Sequence, residues 1–433
     1  MKNFFVIFTL CLLIFTGCDK SKMPNKDHIG DRKLLLYYGA GFNSLSSYLK
    51  EDIGELIQNN KIPTLAYNDD ILLVFDHLAN PLNYTTPKKS YLFRVYKDSK
   101  KDIIKDTLLT IDENRSAVEP EIFEQVLNYV VSHFPCDSRG LIFSSHGFGY
   151  LPEGYYSKPS KYENTVISSG ALLTSRPRDA YKPIPGERLT LEELEKIAAA
   201  TPDTKTIGQE YLDGGYVSKE MAVDAFAAAF PVKFDYILFD ACLMGGVEVA
   251  YELRNAASYI GFSQTEILAD GLPYDVILDY LFADGKADPE GVCRIYMQRY
   301  LEKSYYSCAT FSFIRTDKLE ALAKVCKGIF EEHREELMAI VPSKIQGFFR
   351  DNRHYFYDFE DIVYNLSLTE KEKNDFDIAL DDVVLYKDAT EYFLEIKIDK
   401  QCGLSSFLPS NSGKYLDNFY RTTAWNKATE MLK

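Results

Sequence analysis

The chain has 433 residues, of which 46% are hydrophobic and 26% charged, and its formal net charge is −15. That is the make-up of a globular protein long enough for one large domain or two ordinary ones. The acidic balance argues against nucleic acid and anionic membrane surfaces as partners, and it fits solubility as well as it fits a cationic substrate.

Residues 1–17 read as a lipoprotein signal peptide. Lys2 supplies the positive start, Phe4 to Phe15 is apolar, and Gly17-Cys18 closes it. The apolar run is shorter than the roughly 18 residues that a membrane span needs. Cys18 is then the lipidated first residue of the mature chain; the alternative is ordinary secretion with release. Residues 18–33, polar and rich in Lys, Asp and Ser, read as a flexible tether.

Strands then alternate with helices. Leu34 to Tyr38 is β-rich, with Gly39-Ala40-Gly41 predicted as the turn out of it. Leu45 to Asn59 carries apolar residues at helical spacing. Asp70 to Phe75 and Tyr91 to Lys97 read as strands, and Pro120 opens a helix to about His133. Gly140 to Ser145 is a short apolar run ending in His146-Gly147. Residues 151–210 break the rhythm, being rich in Pro, Gly, Ser, Lys and Arg, and such a long connection is usually functional or mobile. Ser218 to Phe230 reads as a helix, and Phe234 to Phe239 as a strand ending in Asp240-Ala241-Cys242. Ser258 to Phe262, Cys308 to Ile314, Tyr392 to Ile398 and Gly403 to Leu408 are further strand candidates. This order means a mostly parallel sheet covered on both faces.

Cys242 and His146 are the candidate catalytic pair. Each ends a predicted strand, so both reach the sheet edge where open α/β proteins bind ligands. A helical pattern follows at Val247, which predicts Cys242 at a helix N-terminus, a setting that favours a thiolate. Acyl transfer also needs N–H donors aimed at the developing oxyanion, and Gly147 and Cys242 supply them. The remaining cysteines form no Cys-x-x-Cys pair and, apart from Cys11 and Cys18 in the signal, read as buried hydrophobes. His77, His133, His333 and His354 lack a partner pattern and read as solvated or capping residues.

Ser145-His146-Gly147-x-Gly149 and Asp240-Ala241-Cys242-Leu243-Met244 resemble the two signature blocks of the clostripain family of cysteine peptidases, in the caspase, gingipain and legumain clan. The resemblance extends to Leu34–Ile57, Val217–Leu253, Gly271-Leu272-Pro273-Tyr274 and Gly403 to Pro409; Tyr150 and Leu272 depart from it, standing where the family often has Trp. It implies a caspase-like three-layer αβα sandwich, α/β in class, with a mostly parallel central sheet. A catalytic domain would cover 34–310, with an α/β part over 311–433 packed on it or continuing it.

The implied activity is endopeptidase cleavage after Arg or Lys by a Cys242–His146 dyad. The family's acidic S1 residue, two positions before the cysteine, falls on Asp240, whose other reading is a strand-end helix cap. Asp270 is a second S1 candidate, or else a turn aspartate before Gly271. Family members can cut themselves between the two blocks, and here Lys161 and Arg178 are the favoured sites. No cofactor is expected; calcium would be a family option, but Asp69-Asp70, Glu331-Glu332 and Asp381-Asp382 lack a ligand loop's spacing. The implied partners are basic peptide substrates and, through Cys18, a membrane of the bacterial envelope. The rival reading is a non-catalytic surface lipoprotein that keeps the fold as a binding module.

Overall fold

The computed structural model describes residues 32–78, 89–112, 115–153, 155–156, 208–212, 217–302, 307–350 and 354–433. The signal peptide, Cys18, Lys161 and Arg178 lie outside them.

A nine-stranded sheet forms the middle layer. In chain order its strands are β1 (Lys33–Gly41), β2 (Ile71–Leu78), β3 (Ser90–Lys97), β4 (Ile103–Ile111), β5 (Ser138–Ser144), β6 (Phe234–Asp240), β7 (Ala257–Phe262), β8 (Thr310–Arg315) and β9 (Val384–Ala389). Across the sheet they run β9-β8-β7-β6-β5-β1-β2-β3-β4. The five from β7 to β2 are parallel, and antiparallel pairs extend the sheet at both edges. The last two strands at one edge therefore come from chain positions that the sequence assigns mainly to the C-terminal part.

The alternation of side chains explains the layers. Along β1, Leu34, Leu36, Tyr38 and Ala40 enter one core, and Leu35 and Tyr37 enter the other. A strand buried on both faces reads as a near-continuous apolar run, as β1 does. Helices α1 (Ser46–Gln58) and α2 (Pro120–His133) cover opposite faces: Ile53 and Leu56 join the second core, and Ile122, Phe123, Val126, Leu127 and Val130 the first. Farther along, α3 (Pro289–Glu302) and α4 (Leu319–Glu332) divide in the same way, through Tyr296 and Tyr300 on one side and Leu322 and Phe330 on the other. The result is a three-layer αβα sandwich.

Three expectations need correction. Gly39-Ala40-Gly41 does not turn; β1 runs through Gly41, where an added Cβ would sit 2.7 Å from Leu49 and 2.8 Å from Leu78 side-chain carbons. Close packing, not a turn, requires the glycine. The helix expected over Ser218 to Phe230 is confined to Val223–Ala228, because Val217–Lys219 pairs with Glu210–Leu212 as a hairpin. The late strand candidates are short: Tyr392–Phe393 with Ile396–Lys397 is a small hairpin, and Ser405–Ser406 pairs with Tyr357–Asp358.

Candidate active site

The site grows out of one rung of the sheet. Ser144 at the end of β5 pairs with Asp240 at the end of β6, and the Ser145 N–H still donates to the Asp240 carbonyl at 3.3 Å. His146 and Cys242 follow, each two residues past that rung. Their segments stay in contact: a Cβ built on Gly147 would lie 2.1 Å from the Cys242 carbonyl oxygen and 2.9 Å from its nitrogen. Only a glycine permits that approach. Gly149, with φ of 59°, leaves similarly little room beside the Leu243 carbonyl.

Cys242 sits in a turn, not on a helix. The helix after it is Val247–Glu252, capped by Gly246, so the expected N-terminal dipole lies several residues too far along the chain. Leu243 instead adopts a left-handed φ of 60°, a conformation that non-glycine residues take at a cost and that clusters at functional sites. This turn is stitched to the segment after β7. The Leu243 N–H donates to Thr265 O at 2.9 Å and the Gly245 N–H to Ser263 O at 2.7 Å. Ser263, Thr265 and Thr310, all fully buried, join hydroxyls beneath it. The Cys242 sulfur accepts the Ile267 N–H at 3.2 Å and lies 3.7 Å from the Ile267 carbonyl. Cys242 is wholly buried and His146 nearly so. Among the described residues no acceptor meets the Gly147 N–H.

The expected acidic pair occupies two depths. Asp240 is 0% exposed, and its Oδ2 accepts the Ser144 and Tyr274 hydroxyls, both at 2.8 Å. Asp270 is exposed and borders a cavity of about 220 Å³ together with Glu55, Leu272, Tyr296, Arg299 and Tyr300. Its tyrosines report the local field. Burial pushes the Tyr300 hydroxyl well up, and Asp270 and Asp240 add to it. For Tyr296 burial comes first, followed by Tyr300, Asp240, Cys308 and Cys242. Burial and Asp275 likewise push the Glu55 carboxyl up. Arg299 is already held by Asp275 through two bonds of 2.6 and 2.8 Å.

Two contacts had no clear sequence signal. Ser44, in the turn between β1 and α1, places its Oγ 3.1 Å from His146 Nε2. His77 is neither solvated nor a cap: it is buried and pairs through Nε2 with the fully buried Glu210 at 3.2 Å, while Nδ1 meets Ser90. Glu210 also takes the Ser116 hydroxyl and the Ala117 N–H. His133 does end its helix, bonding Tyr129 O at 2.9 Å. The other described cysteines form no disulfide, and burial raises Cys293, Cys326 and Cys402, and takes Cys136 to about 11, which suits inert thiols. Among the described residues, no group of three or more His, Cys, Asp or Glu side chains is placed to hold a metal.

The sequence model of the clostripain family matches residues 37–163 and 198–431. The chain belongs to the clostripain family. A comparison with curated proteins gives no match. Solved structures do resemble this clostripain-family chain. An inactive zymogen C11 protease from Parabacteroides distasonis is 26% identical, with a TM-score of 0.67 over 92% of this chain and 98% of that one. A secreted C11 cysteine protease from Bacteroides thetaiotaomicron, in complex with an irreversible peptide inhibitor, shares the fold at 24% identity and a TM-score of 0.67, over 93% and 99%. The protein is thus a cysteine peptidase with the α/β, caspase-like architecture.

Proposed function

We propose that this clostripain-family peptidase is an exported endopeptidase that cuts after Arg or Lys, with Cys242 as nucleophile and His146 as its proton-transfer partner. The observation that carries the dyad is the contact of Gly147 with the Cys242 main chain, which brings the ends of β5 and β6 together. Cys242 attacks the scissile carbonyl, His146 protonates the leaving amine, and the acyl enzyme is then hydrolysed. The N–H groups of Gly147 and Cys242 would receive the oxyanion. For the preference, the supporting features are the cavity bordered by Asp270 and Glu55 and the buried Asp240, which accepts the Tyr274 hydroxyl. A guanidinium or ammonium entering the cavity meets the Asp270 and Glu55 carboxylates, with which it can form charge-assisted hydrogen bonds.

Export through the 1–17 signal with lipidation of Cys18, and self-cleavage at Lys161 or Arg178, complete the reading. The burial of Cys242 supports an activation step that uncovers the thiol. Among the described residues no helix is long and apolar enough to cross a membrane.

The test sets wild type beside Cys242→Ala and His146→Ala on fluorogenic peptides bearing Arg, Lys, Asp or Leu at P1, with intact mass recorded before and after. Turnover confined to Arg and Lys, lost in both variants and weakened in Asp270→Asn and Asp240→Asn, is expected. Equal cleavage after Leu would refute the acidic pocket. A wild type that is never cut, yet is fully active, would remove self-processing. Fractionation of cells carrying Cys18→Ala should release the protein from the membrane.

A further inference from the structure

The loop that closes β1 carries a feature that the dyad alone does not use. Asn43 is completely buried, although it stands in a turn. Its side-chain oxygen accepts the Leu45 N–H at 2.8 Å, and its amide donates to Ala40 O at 3.2 Å and to Gln209 O at 2.8 Å. The turn 42–45 is therefore held from within and from the far end of the long connection. The next residue, Ser44, is exposed and places its Oγ within hydrogen-bond distance of His146 Nε2.

The same carbonyl fixes the other side. Ser145 Oγ donates to Ala40 O at 2.6 Å, and Gly208 N–H donates to Ser145 Oγ at 3.1 Å. Ala40 thus ties down the residue before Ser44 and the residue before His146 at once. With both neighbours anchored on one acceptor, the framework of β1 and β5 fixes the main chains that carry Ser44 and His146.

We propose that Ser44 is a positioning residue of the catalytic centre, holding the His146 ring through Nε2–H donated to Ser44 Oγ so that Nδ1 serves the Cys242 side. This rests on the reading of His146 and Cys242 as the dyad. A hydroxyl acceptor on Nε2 selects one tautomer and one ring orientation. Nδ1 is then the atom that carries the proton to the leaving amine and, having lost it, accepts one from water in deacylation. Ser44 itself gains and loses no proton over the cycle. A base oriented by a third group is the general logic of an activated nucleophile. Here the third group is neutral, so it orients the ring without fixing its charge as a carboxylate would.

The experiment uses the full chain as wild type, Ser44→Ala, Ser44→Thr, His146→Ala and Cys242→Ala. The kcat and KM values are measured on one Arg or Lys peptide and, for wild type and the Ser44 variants, normalised to the fraction of molecules that an irreversible peptidyl inhibitor labels, so a misfolded fraction drops out. Thermal melting is recorded alongside. Ser44→Ala should lower kcat about tenfold, in the range for partners that orient a functional imidazole, with KM unchanged. Ser44→Thr, which keeps the hydroxyl at an exposed position, should restore most of kcat. A Ser44→Ala enzyme with wild-type kcat beside an inactive His146→Ala would overturn the proposal and leave the dyad standing. Ser44→Thr as impaired as Ser44→Ala would also overturn it. Activity surviving in His146→Ala would instead bring down the dyad reading beneath it.

Discussion

Gly147→Ala tests the junction of the two signature blocks directly. The added methyl carbon would start 2.1 Å from the Cys242 carbonyl oxygen, and 2.9 Å from its nitrogen. An ordinary non-bonded separation is about 3.5 Å, so the overlap exceeds an ångström. The obstructing atoms are main chain, and they belong to a turn already pinned by Thr265, Ser263 and Ile267. No flexible side chain can swing aside. The His146 segment or the Cys242 turn must shift by about 1 Å, a misplacement that costs on the order of 100-fold in rate. That corresponds to about 2.7 kcal/mol of transition-state stabilisation. The assay is kcat/KM on a Lys or Arg peptide, with circular dichroism to show that the sheet is intact. Gly328→Ala is the control, because a Cβ at that exposed position on α4 meets nothing within 4 Å. The control should keep full activity and gain about 0.5–1 kcal/mol from helix propensity. A folded Gly147→Ala enzyme within threefold of wild type would show that these backbones are not in contact in the working molecule.

Other perturbations follow from buried polar groups. Glu248 is buried and its Oε1 accepts from Ser406 Oγ, the Phe407 N–H and the Tyr420 hydroxyl, each at 2.9 Å. Glu248→Ala strands three donors and should lower stability by about 3 kcal/mol in urea unfolding; a change within 0.5 kcal/mol would show that water replaces the carboxylate. Glu210→Ala removes the partner of His77, Ser116 and the Ala117 N–H. It should lower the melting temperature and kcat together, since residues 208–210 also hold the turn of Ser44 and the residue before His146; a lower melting temperature with unchanged kcat would break that link. Asp358 caps the helix Phe359–Tyr364, and burial pushes its carboxyl up to about 6. A folded value above the unfolded one means that the stabilisation is full below about pH 4 and fades as the pH rises through about 6, a change of about 3 kcal/mol. Asp358→Asn, with a constant offset for its lost acceptor, should therefore gain on wild type between pH 4 and 7; a pH-independent difference would refute the assignment.

The centre of the fold was legible because its strands are buried on both faces. Runs such as Leu34 to Tyr38 and Phe234 to Phe239 leave little ambiguity, and each ends in chemistry. The edges were not. Ile103–Ile111 carries Lys105, Asp106 and Thr107 among its apolar residues and is mostly exposed, so its pattern does not announce a strand. Val384–Ala389 is hidden in the same way, with Lys387 and Asp388 at an antiparallel edge. Gly39 and Gly41 read as a turn because glycine has two uses, and only the packed neighbours reveal which applies. The site divides similarly. Cys242, His146 and the glycines between them carry a local pattern. Ser44 does not, because a serine after a strand is commonplace and its partner lies 102 residues away. Glu210 and His77 could not be matched from sequence either, since nothing local marks either as buried.

The placement of β5 and β6 has a consequence for what a cut molecule would be. The two strands lie on opposite sides of the 157–207 stretch in sequence, yet they are neighbours in the sheet, paired from Gly140 with Tyr236 to Ser144 with Asp240. Severing the chain anywhere in that stretch leaves β1 to β5 on one piece and β6 to β9 on the other, sharing one continuous ladder and both cores. Neither piece can bury its share of the middle layer alone. The nicked protein would elute as a single particle of unchanged size in native buffer and resolve into two polypeptides only under denaturant, with His146 on the first and Cys242 on the second.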